Sequence, residues 1–246
     1  NPKPKGGVDF QVEQAKKMYA ELSPETNKFF KMMIDEELMD LNNRKGKAGG
    51  GFCTSFPSLE RPYIFANFNG TDHDVTVLTH EAGHAFQGYQ SRKQPINRYL
   101  WPTYEACDIH SMSMEFLTWE WMHLFFKEDT EKFLFKHLAG SLAFLPYGAL
   151  VDHFQHWVYE QPEATPKERK KKWLDLEKIY QPDKNYDDLV FLKNGGLWQK
   201  QAHIYQMPFY YIDYTLAQIC AFQFWIKMQE DKEKSWQDYL KLCEDY

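Results

Sequence analysis

No two of the four cysteines (Cys53, Cys107, Cys220, Cys243) form a C-x-x-C pair, and they are scattered along 246 residues. That pattern does not make a disulfide framework; it fits reduced thiols in a cytoplasmic protein. Basic residues are not in excess either: 29 Lys and Arg stand against 35 Asp and Glu, a net charge of -6. A nucleic-acid partner is therefore not expected. The densest basic cluster, KERKKKW at 167–173, reads as a solvated helix face that turns to the core at Trp173. No apolar run approaches the roughly 18 residues of a membrane span, so no membrane partner is expected. Nothing at the N-terminus resembles a signal peptide, so the sequon Asn69-Gly70-Thr71 carries no expectation of glycosylation. Internal repeats and low-complexity segments are also missing.

What is present is a globular composition, 43% apolar and 17% aromatic, with material for one large domain or two small ones. The chain opens NPKPKGG without Met and ends LCEDY inside a helical pattern, so it is expected to be part of a longer protein. Helical periodicity predicts helices over 8–21 and 24–42, with Ser23 as N-cap and Pro24 in the first turn. NNRKGKAGGG (42–51) reads as a glycine-rich loop. The aromatic, β-branched stretch GFCTSFPSLERPYIFANFNG (51–70) reads as two short strands, the one sheet expected. Helices are then predicted over 72–92, 103–127, 129–160, 166–180, 186–193, 195–206, 208–230 and 235–246, with Pro and Gly pairs at several boundaries. The fold class is mostly α, with one small β element just before the 72–92 helix.

That helix contains THEAGHAF, with His80 and His84 four apart and Glu81 after the first. Residues i and i+4 share a helical face, so both imidazoles can reach one metal ion while Glu81 reaches a water beside it. This is the spacing of a H-E-x-x-H zinc metalloprotease. The plainer alternative is two satisfied histidines on an ordinary helix. Gly83, costly inside a helix, predicts that something approaches closely there. A catalytic zinc needs a third protein ligand. The acidic stretch YEACDIHSMSMEF (104–116) offers Glu105, Asp108, His110 and Glu115. Asp108 and Glu115 share a face, Glu105 lies on the same side, and His110 is rotated away.

HEAGHAFQGYQSR followed by EACDIHSMSMEF resembles the M3 family of zinc oligopeptidases, most closely its oligoendopeptidase F branch. The resemblance implies a zincin-type helical catalytic domain spanning 1–246, an edge strand ahead of the zinc helix, and one zinc ion per chain. It also implies short peptides as substrates. The family's ligand pattern, E-x-x-S-x-x-x-E, reads DIHSMSME here. That aligns Asp108, 28 residues after His80, with the third ligand, and Glu115 with a second acid that orients a ligand histidine. The family has Glu where this chain has the shorter Asp108. Either the helix sits closer, or the metal is held more weakly, or Glu105 takes over. Downstream, HIYQMPFYYIDYTLAQICAFQF (203–224) resembles the family's His-and-Tyr segment, which implies His203, Tyr210, Tyr211 and Tyr214 as hydrogen-bond donors to the substrate, against a plain aromatic core face. By the same resemblance, Glu81 is the general base. An aminopeptidase-type zincin is the runner-up, but its acid about twenty residues after the motif is lacking; Arg98 and Tyr99 stand there. A degenerate peptide-binding protein with a weakened metal site is the alternative outside catalysis.

Overall fold

In the computed structural model, which describes residues 1–245, the chain is mostly helical. Helix α1 (Val8–Leu22) ends at Ser23, whose Oγ accepts from the Thr26 backbone N–H at 3.1 Å and caps α2 (Pro24–Asp35). Pro24 occupies the first turn, as expected.

The second helix stops well short of the predicted residue 42. Glu37 takes a left-handed φ of 53°. Its N–H donates to the Ile34 carbonyl (3.1 Å), and the Leu38 N–H donates to the Met33 carbonyl (2.9 Å). That is a Schellman close with Glu in the place where sequence reasoning looks for Gly. The released residues form β1 (Met39–Asn42), so the sheet has three strands rather than two. β2 (Phe52–Phe56) pairs antiparallel with β3 (Arg61–Phe68), and β1 pairs parallel with the other side of β3 in the register Met39–Ile64. β3 alternates cleanly, with Pro62, Ile64, Ala66 and Phe68 buried. β2 is an edge strand. The loop before it is tied down by Lys47, whose side chain is 1% exposed. Its ammonium donates to the backbone carbonyls of Asp40, Asn42 and Ala66 and lies 4.3 Å from the centre of the Phe65 ring.

Helix α3 (His73–Ser91) follows β3, and α4 (Tyr104–Leu117) packs along it. The helix predicted over 103–127 is broken: the Thr118 hydroxyl donates to the Met114 and Glu115 carbonyls, a 3-10 turn follows, and α5 (Met122–Phe126) is a single short turn. Then come α6 (Thr130–Glu160) and α7 (Pro166–Tyr180), the latter opened by a Thr165–Glu168 capping box. The expectations for 186–193 and 195–206 shrink to α8 (Val190–Lys193), a 3-10 turn and α9 (His203–Gln206). Helices α10 (Tyr211–Glu230) and α11 (Lys232–Asp245) complete the chain.

The contacts gather into two compact units, residues 1–138 with 217–246, and residues 139–216. In the first, the core is built from Met18, Phe29, Phe30, Ile64, Phe86 and Tyr239, each at most 1% exposed. In the second, Leu150, Val151, Phe154 and Trp173 are fully buried. By length and composition alone, Trp119–Glu160 is apolar enough to cross a membrane, a stretch that reading for unbroken apolar runs passed over. Its buried residues, among them Phe126, Phe133, Leu150 and Phe154, are spent on the cores of the two units. All four cysteines are free thiols.

Candidate metal centre

His80 and His84 lie one turn apart on α3, with ring centres 5.0 Å apart. Across from them stands α4, brought close by Gly83. A Cβ at Gly83 would sit 2.6 Å from the Ser111 Cα and 2.8 Å from the His110 carbonyl oxygen, so only glycine fits. Helix α11 backs the arrangement: the Tyr239 hydroxyl donates to the His110 carbonyl at 2.9 Å, and His110 itself is fully buried against the Leu242 carbonyl rather than facing the cluster.

The close approach delivers Asp108. Its Oδ1 is 3.6 Å from His80 Nε2 and 3.5 Å from His84 Nε2, and the three ligand atoms lie within 4.8 Å of one another. These separations are long for hydrogen bonds. They suit donors sharing one ion: ligands about 2.0–2.1 Å from a tetrahedral ion stand about 3.3–3.5 Å apart. Two imidazole nitrogens and a carboxylate oxygen are also a chemically apt donor set for a divalent transition metal. Of the two candidate carboxylates, Asp108 is the one that converges with the histidines. Glu105 does not take over; it is exposed in the first turn of α4, and its carboxyl is held down by its own backbone N–H and the Thr103 hydroxyl.

Glu115 sits behind His80, with Oε1 2.7 Å from His80 Nδ1. His84 Nδ1 faces the Cys107 sulfur at 3.9 Å. The Glu115 carboxylate can only accept, so it takes the Nδ1–H of His80 and leaves that ring's Nε2 with a lone pair for an ion. Burial opposes the ionised form of Asp108, but the two histidines outweigh it and hold its carboxyl well below the usual range. Glu115 behaves alike: despite burial, His137 and His80 lower it to about 2. Burial would lower His80, yet Asp108 and Glu115 raise it well above an ordinary histidine. The pocket is built to hold positive charge. Burial pushes the Cys107 thiol up to about 12, so it stays protonated.

Glu81 is 6% exposed, and burial raises its carboxyl pKa. Its buried Oε2 has no hydrogen-bond partner among the described residues. Its Oε1 lies 3.4 Å from where a Cβ on Gly51 would be, so the glycine-rich loop runs directly beside it. A carboxylate left unpaired in a buried place is poised to take up a proton.

His203, Tyr210, Tyr211 and Tyr214 lie in the unit of residues 139–216 and cluster there. The His203 ring is 5.1 Å from Tyr211 and 5.5 Å from Tyr214, and Tyr210 is 4.8 Å from Tyr214. Gln201 Nε2 is 2.7 Å from His203 Nδ1, and His203 Nε2 is 3.3 Å from the Tyr214 hydroxyl. Tyr211 is the most enclosed, 8% exposed and edge-on to Phe144 and Tyr147 in that unit's core. Sequence reasoning missed His137, whose Nε2 lies 2.7 Å from Glu115 Oε2. No spacing rule links 115 to 137; the available signal was a histidine inside the apolar stretch FLFKHLAG.

The sequence profile of peptidase family M3 matches residues 7–242. The chain belongs to peptidase family M3. The M3 chain is 25% identical over 220 residues to an oligoendopeptidase F homolog from Borreliella burgdorferi, covering 85% of this chain and 36% of that protein. Among solved structures, it superposes on Pz peptidase A, solved with an inhibitor, with a TM-score of 0.97 and 60% identity. That match covers all of this chain and 44% of the other. A Bacillus anthracis structure provisionally described as an oligoendopeptidase F gives a TM-score of 0.88 and 54% identity, over all of this chain and 41% of that one. The chain therefore spans less than half the length of these relatives.

Proposed function

We propose that this chain carries the catalytic centre of a zinc-dependent endopeptidase that hydrolyses short peptides in the cytoplasm. The observation that carries the reading is the convergence of His80, His84 and Asp108 at ion-sharing distances, with the unpaired Glu81 carboxylate in the same buried, electrostatically coupled group. Membership of the M3 family and the oligoendopeptidase names of its relatives support it.

His80, His84 and Asp108 would hold one zinc ion. Zinc there supplies a Lewis acid for the scissile carbonyl and makes water acidic enough to attack near neutral pH. Glu81 accepts the proton of the attacking water, its raised affinity for protons suiting a base that must pass the proton on to the leaving amine. Glu115 and Cys107 hold the two ligand imidazoles in place through their Nδ1 atoms. By family resemblance, His203, Tyr210 and Tyr214 donate hydrogen bonds to the peptide or to the oxyanion it becomes. Tyr211 supports them from the core of their unit. The edge strand β2 would pair with an extended peptide through main-chain bonds, which read shape more than sequence.

The test is elemental analysis beside peptide cleavage. The parent should hold one zinc per chain and His80→Ala none, while Glu81→Gln should keep the metal and lose nearly all turnover of a quenched fluorescent peptide. A Glu81→Gln protein that cleaves like the parent would remove Glu81 as the base. A parent that takes up no zinc when it is supplied would leave a peptide-binding protein as the better reading.

A further inference from the structure

Behind Glu115, hydrogen bonds continue away from the metal centre through His137 to Trp119. Glu115 spends both carboxylate oxygens: Oε1 on His80 Nδ1 and Oε2 on His137 Nε2, each at 2.7 Å. His137 lies near the start of α6, its side chain 7% exposed. On its far side, Trp119 Nε1 donates to His137 Nδ1 at 3.2 Å.

The direction of this chain is fixed by chemistry. An indole N–H can only donate, so His137 Nδ1 must be the acceptor and the ring hydrogen must sit on Nε2. That hydrogen faces Glu115, which as a carboxylate can only accept. Glu115 Oε1 then accepts from Nδ1–H of His80, and the lone pair of His80 is left on Nε2, the nitrogen that faces Asp108. Reversing any link would set donor against donor or acceptor against acceptor. The His137 ring cannot easily turn away, because Phe133 stacks on it at 5.6 Å and Phe116 packs against it at 4.9 Å.

We propose that Trp119 and His137 are positioning residues for the metal centre: the Trp119 indole fixes the His137 tautomer, and His137 thereby fixes the carboxylate that orients His80. This rests on His80 being a metal ligand. It extends the site by two residues beyond any that touch ion or substrate. Loss of a group bonded directly to a ligand, as Glu115 is to His80, typically costs about 10- to 100-fold in metal affinity, and His137 acts through that group.

The experiment uses the whole chain, in the parent and in His137→Leu, His137→Gln, Trp119→Phe and His80→Ala. Two quantities are read: zinc affinity, by competition with a chromophoric chelator, and the tautomer of His137 in the metal-free protein, by nitrogen–proton correlation spectroscopy of the imidazoles. In the parent, His137 should carry its hydrogen on Nε2. His137→Leu leaves Glu115 in place but unheld, and should bind zinc up to about 10-fold more weakly, the low end of that range. His137→Gln should stay near the parent, since its amide can donate to Glu115 and its carbonyl can accept from Trp119. Trp119→Phe should give a mixed tautomer signal and an intermediate affinity. A purely space-filling role for His137 would leave His137→Gln no better than His137→Leu. The proposal is overturned if His137→Leu binds zinc like the parent, or if the parent spectrum puts the hydrogen on Nδ1. Should His137→Leu fail to fold by circular dichroism, Trp119→Phe decides: an unchanged tautomer and affinity overturn the proposal. A parent that binds no more zinc than His80→Ala would instead overturn the metal reading itself, and the relay with it.

Discussion

Gly83 and Ser111 meet backbone to backbone where α3 crosses α4, and a single added methyl at Gly83 would lie 2.6 Å from the Ser111 Cα. The spacing of the two helices, and hence the reach of Asp108 to the histidines, depends on that missing side chain. In a helix, alanine is ordinarily preferred to glycine by about 1 kcal/mol. Here Gly83→Ala should instead destabilise, because overpacking costs about 1–3 kcal/mol and the obstacle is backbone that cannot rotate away. Urea unfolding should report a net loss, and zinc affinity should fall with it. Parent-like values in both would mean the helices have slack that the contact does not reveal.

Asp108, and not Glu105, is the carboxylate that the fold brings to His80 and His84. Asp108→Ala should abolish stoichiometric zinc binding, whereas Glu105→Ala should leave it at the parent value. Equilibrium dialysis with elemental analysis distinguishes them, and the reverse result would transfer the ligand role to Glu105.

Zinc binding should also appear as thermal stability. At about one hundred times its dissociation constant, a ligand that binds only the folded state adds about 2.7 kcal/mol. For a chain of this size each kcal/mol raises Tm by about 2–4 °C, so the shift should be about 5–10 °C. A strong chelator should reverse it, and His80→Ala should show no shift in a thermal melt. A similar shift in His80→Ala would place the stabilising ion elsewhere.

The loop before β2 predicts an acid-dependent stability. Hydrogen bonds from Arg44 and then Lys47 hold the Asp40 carboxyl at about 2, below its unfolded value of about 3.9. A carboxylate lowered on folding stabilises the protein above its unfolded pKa, and that contribution is lost as pH falls through the folded one. Urea unfolding should therefore weaken between pH about 4 and about 2. The dependence over that window should be shallower in Arg44→Leu with Lys47→Met, and an identical slope would count against the assignment.

The Tyr214 hydroxyl lies 3.3 Å from His203 Nε2, and under the proposed function it is a hydrogen-bond donor to the substrate. Tyr214→Phe should lower kcat by about a hundred- to a thousandfold, as loss of one oxyanion donor does, with zinc content unchanged. Steady-state kinetics on a short peptide, with metal analysis alongside, would detect a wrong assignment as parental kcat.

Much of the first unit was legible because its signals are local. The i, i+4 histidines, the Ser23 cap and the alternation of β3 all follow from spacing along the chain. What escaped was decided by partners far away in sequence or by unusual residues in familiar roles. β1 was hidden because its preceding helix ends on Glu37 in a left-handed conformation, where a glycine would have announced the stop. The break after α4 lacked Pro or Gly and turned on the Thr118 hydroxyl bonding back to two carbonyls. His137 joins Glu115 only once the chain has folded. Gly83 was the exception: its cost inside a helix pointed to the close approach of α4 before any partner was known.

The loop from Lys47 to Gly51 invites comparison with a flexible flap, but its attachments argue otherwise. Lys47 is moored to three carbonyls, and Asn67 Nδ2 donates to the Ala48 and Gly50 carbonyls at 2.9 and 2.8 Å. Gly50 takes a φ of 92°, and Gly51 runs past the Glu81 carboxylate. The glycines therefore supply clearance and a tight bend in a lip held at both ends, so a protease probing the folded chain should find little purchase there despite the loop's exposure to water.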